Sequence, residues 1–493
     1  MSFAYVLLAL NLLATRQAPL GAQLHIRLTS PVGSYASRPG DPVNAVLIAP
    51  LVLGGETVLP AGSQVSGRLK SVQRVGMGFV HELAALDLEF TSITLPNGES
   101  LPLSARVQDL DNARERLMAD GSIRGTRPTS SLSYRFGGYI RTALAWEWHA
   151  RLAVWLIKGF LLQVPEPELY YPAGVEMTLA LTGTMAPFPP TAVEPTTRRL
   201  TDDERARMDA LIAELPTRTH SLYSNRPSDL INFVFIGSRD ELAAAFEAAG
   251  WTQPTRAGLR ANIRRIRAVA DGRGDSTAPM TDLLVQDAKA DMSWQKTFND
   301  VAKRHHIRIW KQSASWDGRE IWIGAATHDI DFAYMRPGTA MTHKIAENVD
   351  RERDKVVNDL VFTSCVDMAD DMERLDVPIL TQNATGDPMR TDSRIAILQM
   401  NACEEPAGSL DGAGATLPRH GSKLQRFARR EILSFRSDLL RENMYWRGYE
   451  GMRYMITAYR QRGGRSNASD PPPPSAEDSQ SSNRASFVKD MLR

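Results

Sequence analysis

The sequence predicts a mixed α+β protein: a β-rich N-terminal barrel or sandwich, then an α/β domain, then a helical C-terminal region. Three observations predict it. Between about Gln23 and Met185 apolar residues alternate or run at strand length, as in "VNAVLIAPLVL", "SQVSGRLKSV", "LAALDLEFTSITL" and "VEMTLALTGTM". Beyond about residue 200, strand-like runs alternate with amphipathic helices. Between the two lies "TMAPFPPTAVEPTTRR" (184–199), whose prolines favour an extended linker at 186–199. A chain of 493 residues is long enough for two or three cores.

The elements follow in order. "AYVLLALNLLA" (4–14) is a short apolar run, and "APLGAQ" (18–23) offers small residues around Ala22. Together they read as an export signal over 1–22, although "MSFAY" lacks a basic residue; a frayed N-terminus is the alternative. The run is too short to span a bilayer. In the β-rich region (23–185), "LPNGES" (95–100) carries Asn97-Gly98, the pair that suits a two-residue hairpin turn with positive φ at both positions. "LPAGSQV" (59–65) and "YPAGVEM" (171–177) each place Pro-Ala-Gly before a strand, which is either a repeated turn or a coincidence of common turn residues. "YIRTALAWEWHARLAVWLIKGFLLQ" (139–163) is apolar yet carries Arg141, Glu147, His149, Arg151 and Lys158. Charges at that density fit a helical insertion packed on the β domain, or one lying in a membrane interface, better than a span.

In the second domain (200–405), "INFVFIG" (231–237) is a buried strand, and "SRDELAAAFEAAG" (238–250) is a helix with a Ser start and a Gly stop. "RIAILQM" (394–400) is another strand, 421–462 is a helical extension, and 463–493 is mostly disordered by composition. Cys365 and Cys403 are the only cysteines, and a disulfide and a buried free thiol are equally compatible with their settings.

The formal net charge of +1 gives no global attraction to nucleic acid, and no nucleic-acid partner is expected. Walker A, Rossmann, G-x-S-x-G and H-E-x-x-H patterns are absent. The chemistry-bearing residues concentrate in one stretch. In "HHIRIW" (305–310), period two places His306, Arg308 and Trp310 on one face and Ile307 and Ile309 on the other. "WDG" (316–318) turns into "REIWIGAATHD" (319–329), so that His328, Asp329 and Asp331 are expected just past a strand's carboxyl end.

"NVDRERDKVVNDLV" (348–361) reads as a helix capped at Asn348, with an apolar stripe of Val349, Val356, Val357 and Leu360. Arg353 falls in the middle of that stripe and must be paired, because a stranded buried charge costs several kcal/mol. The expected partners are Asp329, Asp331, Asp350 and Glu352, while Arg351, Asp354, Lys355 and Asn358 are expected to face water. His343 adds an imidazole between the two elements. The histidines 306, 328 and 343 with Asp329, Asp331 and Asp350 are ligand types for a divalent metal, but their spacing matches no standard signature and no cofactor is assigned. "RAGLRANIRRIRAVADGR" (256–273) places Arg256, Arg260, Arg264 and Arg267 along one helix face, suited to an anionic partner or simply to solvent.

Five ordered blocks now carry a resemblance: "INFVFIGSRDELAAAFEAAGWT" (231–252), "MSWQKTF" (292–298), "HHIRIW", "EIWIGAATHDIDF" (320–332) and "THKIAENVDRERDKVVNDL" (342–360). They resemble the LssY C-terminal domain, a bacterial module found alone or attached to membrane proteins with phosphatidic-acid-phosphatase-like regions. Its motifs fall on His306, Arg308, Trp310, His328, Asp329, Asp331, His343, Asp350, Arg351 and Arg353, and the resemblance implies no activity for them. "GDPVNAVLIAPLVLGGETVLPAGSQVSGRL" is similar to the β-domain of TrbI-like conjugation-channel proteins.

Two functions are expected, in this order. The first is an exported cell-envelope binding and assembly module, with an envelope protein or an anionic lipid or phosphate ligand as partner and peripheral membrane association. The second is a metal- or Arg-assisted hydrolase of phosphate esters or lipid-linked substrates. In it His328 or His343 acts as general acid/base, Asp329 and Asp331 serve as ligands or proton acceptors, and Arg308, Arg351 and Arg353 bind the anion beside His306, Trp310 and Asp350.

Overall fold

The structure, a computed structural model, describes residues 18–53, 56–77, 81–127, 167–183, 185, 197–222, 224–255, 268, 274–334, 341–403, 422–442, 452 and 455. Six antiparallel strands close the first domain into a barrel: β1 (Gln23–Leu28), β2 (Pro42–Leu47), β3 (Gln64–Gln73), β4 (Ala85–Thr94), β5 (Ser100–Leu110) and β6 (Glu176–Leu181). Their order is β3-β2-β1-β6-β5-β4, and β4 pairs again with β3. Alternation drives the closure, because every second residue of β4 and β5 (Leu86, Leu88, Phe90; Leu103, Ala105, Val107) points into one core. The two Pro-Ala-Gly segments are a true structural repeat. Gly62 and Gly174 both take positive φ, and their amides donate to Leu47 O and Leu28 O at the ends of β2 and β1. The hairpin at 95–100 differs from expectation: Gly98 has positive φ and Asn97 does not, so three residues turn the chain where two were expected.

The second domain is built on a largely antiparallel sheet ordered β8-β9-β10-β7-β13-β12, from β7 (Phe233–Ile236), β8 (Met292–Lys296), β9 (Arg304–Trp316), β10 (Arg319–Tyr334), β11 (Met341–Ile345), β12 (Val366–Glu373) and β13 (Arg394–Met400). Among the described residues only the β7–β13 strand pairing in this sheet is parallel, and β11 pairs with the far end of β10. Helix α1 (Asp202–Glu214) packs Met208 and Ile212 on one face. Helices α2 (Arg239–Ala248) and α3 (Asp350–Phe362) pack Leu242, Phe246, Val356 and Leu360 on the other. Thr201 and Ser238 close capping boxes with Glu204 and Glu241. Cys365 and Cys403 form a disulfide, which removes the free-thiol alternative and ties the end of α3 to the segment after β13.

Helix α4 (Lys423–Glu442) returns to the barrel, where Leu433 joins the barrel core and Arg429 pairs with Glu168 at 2.7 Å. The expected helical insertion, almost all of the linker and of the basic helix, most of the export signal and the C-terminal tail lie outside the described residues. No described helix is long and apolar enough to cross a membrane.

Candidate functional site

The β9–β10 hairpin is tight, turning through Asp317 and Gly318, both with positive φ. Cross-strand partners share a face, and the register pairs Arg304 with Asp329, His305 with His328 and His306 with Thr327. Here the structure corrects the expectation that His328, Asp329 and Asp331 lie past the strand. β10 continues to Tyr334, so His328 and Asp329 are consecutive strand residues and project to opposite faces. The expected single site is therefore two clusters with a sheet between them.

On the face shared with Ile323 and Ala325 lie Arg304, His306, Arg308, Trp310 and Asp329. Arg304 Nε donates to Asp329 Oδ2 at 2.7 Å, and the Nδ1 atoms of His306 and His343 approach the same oxygen at 3.7 and 3.6 Å. Thr327 Oγ1 contacts His306 Nε2 at 2.9 Å. Arg308 donates to Thr281 O and to Asp229, and Trp310 Nε1 to Ala288 O. Burial, with the like charges of Arg308 and Arg304, pushes His306 down to about 3. Burial alone would raise Asp329, but the neighbouring imidazoles and Arg304 hold it well below the usual carboxylate range. Arg304 and Asp329 are buried and pair with each other, His343 is partly exposed beside them, and His306 Nδ1 is buried without a hydrogen-bond partner. Asp331 pairs in register with Lys344 on β11.

On the other face His305 and His328 stack, with ring centroids 4.2 Å apart. His305 Nδ1 lies 2.6 Å from Glu352 Oε2 on α3, and its Nε2 lies 2.8 Å from Asp111 Oδ1, which comes from the barrel. His328 Nε2 lies 2.9 Å from Asn112 Oδ1. Burial pulls His305 down, yet Asp111 and Glu352 together raise it to about 10; burial and the charge on His305 push His328 down to about 3.

Beside them a second network crosses the same seam. Barrel residue Glu176 takes Arg27 at 2.8 Å, Lys296 at 2.6 Å and Lys355 at 2.6 Å. Asp359 takes Lys296 at 2.9 Å, Lys355 at 2.8 Å and the indole N–H of Trp251 at 2.9 Å. Burial would raise Glu176, but the three cations hold it well below the usual carboxylate range. Polar contacts from the 112–115 turn to the 296–303 segment extend the seam: Arg114 N and Asn299, Asn299 and Glu115, Lys303 and Ala113 O. A cleft of about 590 Å³ opens along it, with Arg27, Asp111, Glu176, Lys296 and Phe298 in its walls.

Arg353 is buried and paired, as its place on the helix requires, and Asp350 is among its partners as expected, but Asp329, Asp331 and Glu352 are not. It forms a two-pronged pair with Asp392 at 2.7 and 2.9 Å, contacts Asp350 and Asp354, and donates to Arg394 O. Asp329 and Asp331 play no part, since Asp329 is committed to Arg304 on the far side of the sheet. Glu352 turns instead to His305. Lys355, expected to face water, points into the seam, whereas Arg351 is exposed as expected. Asn348 accepts from the Asp350 amide at 3.0 Å, but the residue that caps α3 is Val349, which supplies no side-chain cap, so the expected Asn348 cap is shifted by one.

Sequence reasoning missed His305, Asp111, Glu176 and Asp359. One signal was present: His305 shares parity with Ile307 and Ile309, and an imidazole on a buried apolar face needs a partner. Lys355, expected to face water, shares one side of α3 with Glu352 and Asp359, and that side is covered by the barrel.

Residues 212–395 match the family model described as LssY C-terminus, under half of the chain, in agreement with the resemblance read from the sequence. Among solved structures, the chain is similar to ComB10 of the Com type IV secretion system of Helicobacter pylori, at 14% identity over 36% of this chain and 93% of that one, with a TM-score of 0.21. No curated protein matches the chain.

Proposed function

We propose that this chain is a non-catalytic binding and assembly module of the cell envelope, in which the barrel and the LssY-type domain work as one rigid body. The observation that carries this reading is the state of Asp329. As a catalytic acid or base it would have to meet a substrate, but it is buried with its charge committed to Arg304. His306, Arg308 and Trp310 lie on the same face, and His328 lies beyond the sheet from them. The Cys365–Cys403 disulfide suits an oxidising compartment, as does the apolar run at 4–14. With the seam charges spent internally, an envelope protein or an anionic lipid meets the outer surface.

The hydrolase reading draws on one feature, the cleft between the domains with Arg27 and Lys296 in its wall. Both cations are committed to Glu176, which leaves them little charge for an anionic substrate. Turnover of phosphomonoesters, phosphodiesters and lipid phosphates by the full chain, with and without added divalent metal, tests the choice. No turnover is expected from the wild type. Turnover that disappears in Asp329→Ala while that variant remains folded would overturn the reading.

A further inference from the structure

The geometry points to a divalent transition-metal site of the zinc class formed by Asp111, His305 and His328, clamping the barrel to the second domain. One donor atom from each of the three side chains lies within 4.8 Å of the other two. Two imidazoles and a carboxylate are a ligand set that suits zinc and its neighbours.

The surroundings are those of a ligand set rather than of a chance cluster. Glu352 Oε2 sits 2.6 Å from His305 Nδ1, so the far nitrogen, Nε2, is the one presented to Asp111. A carboxylate behind a metal-binding imidazole fixes its tautomer and strengthens it as a donor. Asn112, next to Asp111 in the chain, places its Oδ1 2.9 Å from Nε2 of His328, so Nδ1 is the nitrogen of that ring left for an ion.

Charge supplies an independent observation. Two carboxylates, Asp111 and Glu352, face this stacked imidazole pair, and Glu352 Oε1 is buried without a hydrogen-bond partner. A dication held between the barrel and the second domain would offset both carboxylates at once, with Lys355 of the neighbouring network the other cation that faces Asp111. Asp111 lines the cleft, which gives the ion a way in and leaves room for water as a further ligand. Because Asp111 belongs to the barrel and both histidines to the second domain, the ion binds the docked form alone and stabilises it by mass action.

The inference goes beyond the function proposed above and does not depend on it: metal binding without turnover leaves both standing, and turnover that requires the metal sinks the earlier reading alone. Untagged full-length protein, freed of metal with a chelator, is titrated with zinc by calorimetry and with cobalt by absorption. One equivalent is expected to bind, with the visible bands of nitrogen- and oxygen-ligated cobalt. Asp111→Asn and His328→Ala should each weaken binding by more than about 100-fold, Glu352→Gln by about 10–100-fold, and His343→Ala, on the opposite face, should leave it unchanged. If a ligand variant fails to fold, the wild type still decides: zinc should shift the ring resonances of two of the nine histidines. Absence of binding, or binding that survives Asp111→Asn and His328→Ala, would overturn the site, as would zinc shifts at other histidines.

Discussion

The two faces of the β9–β10 hairpin carry the same residue types and do different work. On one, Arg304 pairs with Asp329 and Arg308 with Asp229, beside His306, all within a single domain. On the other, His305 reaches across to Asp111 and His328 to Asn112, and the adjacent network reaches Glu176 and Arg27 in the barrel. The first face is a domain's own polar core; the second is a joint. A one-residue step along β10 moves a side chain from one role to the other, which is why an ionisable cluster in sequence need not be a cluster in space.

The comparison predicts unequal costs. Glu176→Ala leaves Arg27, Lys296 and Lys355 gathered without their shared acid, and is expected to destabilise the chain by about 3–5 kcal/mol in chemical unfolding. A loss near zero would place the joint's strength elsewhere. Acid should act on the same residue. The Glu176 carboxylate lies well below its ordinary value of 4.5 in the folded chain, so its contribution is complete above that value and fades as pH falls below it. Unfolding measured between about pH 6 and 3 should show stability dropping below about 4.5; a flat profile would contradict this. Asp329→Ala leaves one buried guanidinium that keeps contacts to Gln295 Oε1 and Pro279 O, so about 2–3 kcal/mol is expected, with domain docking unchanged by scattering. Separation of the domains in that variant would show that the two faces are not independent.

Much of the fold was legible because it rests on local rules. Alternation in β4 and β5, the Asp317-Gly318 turn and the Ser238 cap each need only a few neighbouring residues to be read. Arg353 was legible as buried and paired for the same reason, but its partner, Asp392, is 39 positions away, and helical periodicity says nothing about that distance. The seam was illegible on principle. Lys355 lies on a polar side of α3 that looks solvated, and its acid partner, Glu176, opens a strand 179 residues earlier in a different domain. Where strand β10 stops was the costliest misreading, since ending it before His328 merged two faces into one imagined site.

Hydrogen exchange on wild type and Glu176→Gln tests most directly whether the joint is one cooperative unit. The variant is expected to lose protection together in barrel residues 108–112 and 172–177 and in second-domain residues 296–305, with β7 and β13 in the sheet interior unaffected. Loss confined to the barrel segments, with residues 296–305 still protected, would contradict the account.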